Sequence, residues 1–369
     1  MDSKSSPLEA FSGEALLVLA LGIGGAAFLL EHAIVGWGAL AELAAAAALI
    51  AAIIAVSVRV AHHAEVLAAK VGDPYGTMIL TISAVLVEVI ILVILMTGSN
   101  SPTLARDTIF SAVMLDMNGI IGLSALLGGW KHGEQPYNDD SSKTYVAMIL
   151  TAMGISMVVP EFVPRDRWQF YSLFTIGAMA TLYWVFLRNQ IGPHSYFFNY
   201  SYPEKKTRGR RSLKDEPLVP SIIILVAGIV MIGLLAEVMS LFLTDGLEAV
   251  GVPVALAALV VAAMSAAPEI LTALRAALAN RMQVVINIAL GASLSTVILT
   301  VPVIEAIALI TGQPIVMAMT PIQTMLVAIT LIVAAINLND GETNAIEGMT
   351  HFVLFATFLM LALLGVAAG

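Results

Sequence analysis

Long apolar runs of about 20 residues, separated by short polar breaks, recur from one end of the chain to the other. A helical run of this length crosses the hydrocarbon core of a bilayer. The runs are continuous rather than alternating, which excludes the strands of a membrane β-barrel. Charged residues make up only 12% of the 369 residues, against roughly 25% in a soluble domain. The sequence therefore predicts an integral membrane protein.

We expect an all-α polytopic membrane protein with about 11 transmembrane helices. The chain has no cysteine, so a disulfide scaffold is excluded. Its polar N-terminal segment lacks the basic region of a cleavable signal peptide. The predicted spans are 13–31, 37–59, 75–97, 108–129, 144–161, 168–187, 218–243, 252–274, 283–311, 314–337 and 346–368.

Lys and Arg residues are distributed unevenly between the two sides of this arrangement. Fourteen of the 17 fall on the side of the N-terminus. Because such residues accumulate in cytoplasmic loops, we expect a cytoplasmic N-terminus and, with an odd number of spans, an outside C-terminus. A prokaryotic plasma membrane is the expected location. The basic loop at 188–217 is interpreted as a topology determinant weakly attracted to anionic lipid, or as a regulatory segment.

Three features recur in the same order in both halves: an Ala-Glu-Val segment, a Ser-Ala pair and a downstream glutamate. They are Ala64-Glu65-Val66, Ser83-Ala84 and Glu88, then Ala236-Glu237-Val238, Ser265-Ala266 and Glu269. Five spans in each copy would give the copies opposite orientations, an inverted repeat typical of secondary transporters. We therefore expect an N-terminal segment with an extra helix (1–36), a first five-helix repeat (37–187), the basic loop (188–217) and a second five-helix repeat (218–369).

Glu88 and Glu269 each lie inside an apolar span. A carboxylate at this depth is costly unless it is paired, solvated or protonated, and such residues are usually functional. In inverted repeats they would meet at the midplane and form an oxygen site suited to a hard cation such as Ca²⁺ or Na⁺. We predict them as metal ligands. The alternative is a protonated glutamate bonded to a neighbouring helix.

Further polar residues in the spans complete the predicted cation and proton site. Pro268 precedes Glu269 and either frees backbone carbonyl oxygens for a cation or only kinks the helix. Glu237 lies deeper in its span than Glu65, which sits close to water. For hydroxyl and amide side chains the alternative is hydrogen bonding between helices. The additional predicted site residues are Ser83, Ser265, Glu237, Asn118, Asn287 and Ser293.

Several other functions lack their motifs. His62-His63-Ala64-Glu65 does not have the spacing of a zinc protease helix. We find no Walker A loop, no G-x-S-x-G motif and no basic face with interleaved aromatic residues. We therefore expect no resident cofactor, no nucleic-acid partner and no enzymatic activity. Without a nucleotide site, energy would come from an ion gradient, or the protein would be a passive channel.

Several motifs occur in order along the chain: Gly72-Asp73-Pro74-Tyr75-Gly76, Ser83 to Val89, Arg106-Asp107-Thr108, Ser265 to Ile270, Asn280 to Pro302, and Asp340-Gly341-Glu342-Thr343-Asn344 with Glu347-Gly348. In these motifs the chain resembles the calcium/cation–proton exchangers, a CAX-type branch of the calcium/cation antiporter superfamily, and in particular its bacterial ChaA-like members. Many members carry Gly-Asn where this chain has Ser83-Ala84 and Ser265-Ala266. The resemblance implies exchange of Ca²⁺, or of Na⁺ or K⁺, for protons, with Glu88 and Glu269 as the carboxylates of the two α-repeats.

Our leading hypothesis is a secondary active antiporter that exchanges Ca²⁺ for protons by alternating access. The runner-up is a Na⁺ or K⁺/proton antiporter of the same fold. A cation channel with Glu88 and Glu269 in a selectivity ring is a third hypothesis, and an intramembrane enzyme lacks a nucleophile–base set. The expected partners are the transported cation, protons and membrane lipid, and homo-oligomerisation is left open.

Overall fold

The computed structural model describes residues 14–72, 75–98, 101–192, 194–202, 216–252, 254–313 and 315–366. Several sequence predictions concern residues outside these ranges. They involve residues 1–13 of the N-terminal segment, the Asp73-Pro74 pair, the cationic cluster from Lys205 to Lys214 in the basic loop, and the C-terminal residues 367–369.

The described residues form helices joined by short connections. The α-helices are α1 (Ala15–Leu29), α2 (Glu31–Trp37), α3 (Ala39–Val71), α4 (Tyr75–Gly98), α5 (Leu104–Met114), α6 (Ile121–His132), α7 (Asp139–Met153), α8 (Trp168–Ile191), α9 (Leu218–Ala249), α10 (Val254–Ser265), α11 (Ala267–Leu278), α12 (Met282–Ser295), α13 (Val301–Thr311), α14 (Pro321–Asn337) and α15 (Ala345–Leu363).

Wider and tighter helical segments complete several spans. The π-helical segment Leu115–Ile120 joins α5 to α6, and Thr296–Thr300 joins α12 to α13. A third, Gly154–Val158, follows α7 and leads into the 3₁₀ turn Val159–Phe162. Two strands, β1 (Gln135–Pro136) and β2 (Glu342–Thr343), pair antiparallel with Gln135 opposite Thr343.

The membrane-protein class predicted from the sequence is confirmed by these helices. Eight of the described helical spans are long and apolar enough to cross a membrane, and up to ten are if each bent pair counts as one span. The bent pairs are α1 with α2 (69°) and α10 with α11. Counting eleven spans also requires α14, a shorter apolar helix of 17 residues. The number eleven stays a prediction.

The predicted tenth span, 314–337, begins too early. The described residues 315–320 are not helical, and α14 starts only at Pro321. The Thr320 hydroxyl accepts from the Gln323 backbone N–H while the Gln323 side chain accepts from the Thr320 N–H. This capping box and a proline in the first turn fix the start of the helix.

The chain divides into two compact units. The first contains Met1–Asn100 and Arg211–Val252, and the second contains Ser101–Arg210 and Pro253–Gly369. The units cut across the predicted repeat boundaries, so the repeats at 37–187 and 218–369 stay a prediction.

In the first unit, the long helices α3 and α9 have 33 and 32 residues and pack on each other. Gly228 of α9 lies against Val60 of α3, and Gly246 lies against Leu43. Residue numbers thus rise along one helix as they fall along the other, so the two helices run antiparallel. These are the first helices of the two predicted repeats, and opposite direction is what an inverted repeat requires.

In the second unit, α6 and α15 cross at backbone contact. A Cβ atom on Gly122 would lie 2.6 Å from the backbone nitrogen of Phe352. Gly348 faces the backbone of α6 in the same way, around Ala125 and Leu126. Only glycine permits so close an approach. This crossing brings the middle of α15 against the π-helical segment where the polar core of the unit lies.

Candidate cation site

Glu88 lies near the middle of α4, in the first unit, and its side chain is only 7% exposed. The helix is continuous through this position, as expected for a run without proline. Ser83 is equally buried on the same helix. Five residues along a helix correspond to a rotation of about 140°, so Ser83 and Glu88 leave the helix in different directions. Glu88 is thus the carboxyl group that α4 buries within its membrane span.

Glu269 lies at a break in the eighth predicted span, in the second unit. Helix α10 ends at Ser265, and α11 begins at Ala267 in a direction that differs by 60°. Pro268 has no N–H to donate to the carbonyl of Met264 four residues earlier, which interrupts the helical ladder. The span is thus bent beside Pro268. Binding of a cation by the freed carbonyl oxygen stays a prediction, with a plain kink as its alternative.

The break places Glu269 in the first turn of α11. The N-terminus of a helix carries unpaired N–H groups and partial positive charge, which favour a carboxylate there. The Glu269 side chain is half-buried, and its Oε2 atom is enclosed without a hydrogen-bond partner among the described residues. The Ser265 hydroxyl instead donates to the Ala262 carbonyl, at 3.0 Å. Glu269 therefore has an enclosed oxygen to offer to a cation or a proton.

In the second unit, the carboxyl group of Asp116 lies in the π-helical segment Leu115–Ile120. Ser293 of α12 donates a hydrogen bond to Asp116 Oδ2 at 3.3 Å, and the two residues are 0% and 2% exposed. Ser293 lies three residues before another π-helical segment, Thr296–Thr300. Such segments are rare and are frequently found at functional sites. The fourth and ninth predicted spans therefore meet through polar groups at their irregular turns.

Asn118 extends this polar core towards the last two helices. Its amide Nδ2 donates to the Thr330 hydroxyl at 2.7 Å, and its Oδ1 lies 3.0 Å from His351 Nδ1. Because an amide oxygen only accepts, His351 Nδ1 must be the donor. We call Asp116, Asn118, Ser293, Thr330 and His351 the buried polar cluster. Sequence reasoning missed Thr330 and His351, although a polar residue inside an apolar span is itself a signal.

Two predicted site residues have other surroundings. Asn287 accepts from Gln283 Nε2 at 3.0 Å and donates to the Phe198 carbonyl at 2.8 Å, so it ties helix α12 to a connecting turn. Glu237 is exposed on α9, as is Glu65 on α3. The roles of Asn287 and Glu237 in cation binding stay predictions.

The Asp340–Gly348 motif builds a corner of the fold. The Asn344 side chain caps α15 by accepting from the N–H groups of Ile346 and Glu347 at 2.9 and 3.2 Å. Gly341 adopts φ 82°, a conformation that favours glycine, and its carbonyl accepts from Tyr137 N. Burial, with the nearby Asp340 and Glu347 carboxylates, raises the pKa of Tyr137 above its ordinary value. The motif therefore positions α15 and, with it, His351.

The Arg106-Asp107-Thr108 motif also has a positioning role. Arg106 and Asp107 are buried and form an ion pair, with Arg106 Nε 2.9 Å from Asp107 Oδ1. Arg106 also donates to the Ala318 carbonyl at 3.1 Å, and Gln323 Nε2 donates to Asp107 Oδ1 at 2.8 Å. The network fastens the start of α5 to the start of α14.

The described geometry defines a polytopic helical membrane protein with buried carboxyl groups and broken or widened helices inside its spans, the class of the ion-coupled transporters. Residues 41–192 and 220–364 match the family model described as sodium/calcium exchanger protein. The chain belongs to this family.

Relatives and a solved structure agree with this assignment. The chain is 32% identical over 308 residues to the sodium-potassium/proton antiporter ChaA of Escherichia coli strain K12, covering 82% of this chain and 84% of that protein. It is 21% identical over 329 residues to a Ca²⁺/H⁺ antiporter of Aphanothece halophytica, covering 85% and 87%. The fold is similar to that of native YfkE, with a TM-score of 0.75 at 17% identity over 95% of this chain and 99% of that one.

Proposed function

We propose that this protein is a secondary active antiporter that exchanges a cation for protons across a membrane. The observation that carries the proposal is the environment of the two motif carboxyl groups. Glu88 is buried within an apolar span, and Glu269 has an enclosed Oε2 atom at a helix break. Each follows a Ser-Ala pair, with Glu88 five residues after Ser83 and Glu269 four residues after Ser265.

A buried carboxylate is costly in a membrane unless a cation or a proton compensates its charge. If one pair of carboxyl groups accepts either ligand but not both, binding of the cation releases protons, and binding of protons releases the cation. Alternating exposure of that pair to the two sides of the membrane then yields exchange. In inverted repeats, Glu88 and Glu269 would face each other at the midplane.

Ca²⁺ is the cation that we propose first. Two carboxylates supply the charge and the oxygen ligands that Ca²⁺ prefers, and Pro268 leaves the Met264 carbonyl without its helical N–H donor. The name of the Aphanothece relative supports this choice.

Na⁺ or K⁺ is the second candidate. The relative at 32% identity is named a sodium-potassium/proton antiporter. This chain also has Ser83-Ala84 and Ser265-Ala266 where many exchangers have Gly-Asn, so it lacks two amide oxygens. Fewer oxygen ligands favour a cation of lower charge.

The test is proton movement in vesicles reconstituted with the full chain and loaded with a pH-sensitive dye. Ca²⁺, Na⁺ and K⁺ are added separately, and an antiporter releases protons only with the cation that it transports. Because protons and cation compete, the apparent KM for that cation should fall as pH rises. Cation flux without counter-movement of protons would identify a channel instead.

The orientation is part of the proposal. Fourteen of 17 Lys and Arg residues on one side favour a cytoplasmic N-terminus and an outside C-terminus. In a bacterial plasma membrane an inward proton gradient would then drive the cation outwards. A tag inserted after Arg208 should report the cytoplasm, and a reporter fused to the C-terminus should report the outside. If both report the same side, the span count is wrong by one.

A further inference from the structure

Glu305 is a deeply buried carboxyl group that the exchange mechanism does not use. It lies on α13 in the second unit, one turn after Pro302, and is 2% exposed. Its carboxyl oxygens contact two hydroxyl groups of α8. Ser172 Oγ lies 3.4 Å from Oε1, and Thr175 Oγ1 forms a short hydrogen bond with Oε2. Ser172 and Thr175 are also buried, at 5% and 0% exposed.

The surroundings of Glu305 contain no cation that would balance a negative charge. Among the described residues, no Lys, Arg or His pairs with its carboxyl group. Helix α8 contributes Tyr171 as the titratable group on this side, and its hydroxyl donates to the Ile155 carbonyl at 2.6 Å. Arg167, just before α8, is exposed beside Asp166. The π-helical segment Thr296–Thr300, which also packs against α13, has no titratable residue.

The Thr175 hydroxyl has one hydrogen and three oxygens within hydrogen-bond distance, which are Glu305 Oε2 and the backbone carbonyl oxygens of Ser172 and Tyr171. A threonine hydroxyl has one hydrogen to donate and can also accept. Thr175 Oγ1 lies 3.0 Å from the Ser172 carbonyl and 3.3 Å from the Tyr171 carbonyl, the acceptors that a helical threonine normally uses. If its hydrogen is directed there, Oγ1 presents a lone pair to Glu305 Oε2. The contact between these two oxygens is then attractive only if Glu305 supplies the proton.

We propose that Glu305 is a proton-binding site, separate in the sequence from Glu88 and Glu269, whose neutral carboxylic acid donates to Thr175 and fastens α13 to α8. Ser172 donates to the other carboxyl oxygen, so both oxygens of the acid are satisfied. Deprotonation would leave an uncompensated charge between two membrane helices. The ligand of this site is a proton, and the inference does not depend on which cation the protein transports.

Infrared difference spectroscopy on the full-length protein in lipid nanodiscs tests the protonation state directly. At neutral pH the wild type should show a carbonyl stretch of a protonated carboxylic acid that is absent from Glu305→Gln. The matched control is Glu161→Gln, at an exposed acid at the end of the fifth predicted span, which should retain the band. Equal band intensity in wild type and Glu305→Gln would overturn the proposal.

Thr175→Val provides a second test, which still applies if Glu305→Gln does not fold. Valine keeps the shape of threonine but removes the acceptor, so the carboxylic acid band should move to higher frequency, and Thr175→Ser should restore it. A band that stays at the same frequency in Thr175→Val would exclude Thr175 as the acceptor and overturn the proposed hydrogen bond between α13 and α8.

Thermal unfolding links the proton to the packing of the two helices. A carboxyl group that stays protonated only in the folded protein makes stability fall as pH rises above about 4.3, the ordinary pKa of glutamate. As pH is raised from that value through neutral, the wild type should lose Tm, and Glu305→Gln should lose less. The same pH dependence in both proteins would contradict the proposal. None of these measurements requires transport, so their failure leaves the proposed cation exchange untouched, and a failed transport assay leaves this site untouched.

Discussion

Glu88 and Glu269 occupy matching places in the sequence pattern but lie on helices of different construction. Helix α4 is intact around Glu88, so only the side chain is available to a ligand. Around Glu269 the helix is broken between α10 and α11, and Pro268 has no N–H to donate to the backbone carbonyl of Met264. The comparison teaches that equivalent carboxyl groups need not contribute equally: one half offers a side chain, and the other offers a side chain and backbone.

The largest effect is expected from removing either carboxyl group. Glu88→Gln and Glu269→Gln keep the shape but cannot balance a cation or release a proton. Each should reduce exchange by at least about 100-fold, or roughly 2.7 kcal/mol in activation free energy. Expression and Tm should stay near wild type, because a buried charge has been removed rather than added. A Gln variant that exchanges at near the wild-type rate would remove that residue from the site.

Exchanging the proline between the two halves tests the difference in helix construction. Val87→Pro places a proline directly before Glu88 and removes the hydrogen bond to the carbonyl of Ser83. This should destabilise α4 by about 3 kcal/mol. Pro268→Ala, in the first turn of α11, should change Tm little but should raise the KM for the cation. An unchanged KM in Pro268→Ala would mean that the proline only bends the helix.

The buried polar cluster should respond to the loss of a single hydroxyl. Ser293→Ala removes the donor to Asp116 Oδ2 and should lower the free energy of unfolding by about 1–3 kcal/mol. Ser295→Ala is the matched control two residues away, because among the described residues that hydroxyl donates to the Ala292 carbonyl of its own helix. Chemical denaturation of both variants measures the difference. Equal effects would show that the contact with Asp116 contributes nothing of its own.

The smallest effects are expected at the exposed glutamates. Glu237→Gln and Glu65→Gln change side chains that already lie at the surface, so the free energy of unfolding should move by no more than about 0.5 kcal/mol. Exchange should fall less in Glu65→Gln than in Glu237→Gln, and much less in both than in Glu88→Gln. If Glu237→Gln matches Glu88→Gln in transport rate, burial is not what distinguishes the binding carboxyl groups.

The sequence indicated the membrane class and an irregular helix at Pro268, because both follow from local properties of the chain: the length of an apolar run and the missing N–H of a proline. The π-helical turns were not predictable. A π-helical turn contains an extra residue that is accommodated by packing between helices, and no local residue pattern predicts it. The exposure of Glu237 was not predicted for a similar reason. The hydropathy of a span indicates how deep a residue lies in the membrane, but not which face of the helix is covered by neighbouring helices. Thr330 and His351 were visible as polar residues, but their shared partner Asn118 is about 200 residues away in the sequence.

The glycine contacts between α6 and α15 limit insertions and deletions in the segment that encodes α6. Gly122 and Gly129 each face the backbone of α15, one near Phe352 and the other near Ala345. A helix turns by about 100° per residue, so inserting or deleting one residue between the two glycines would move one of them off the contact and bring a side chain into it. A single-codon insertion there should therefore abolish folding of the second unit.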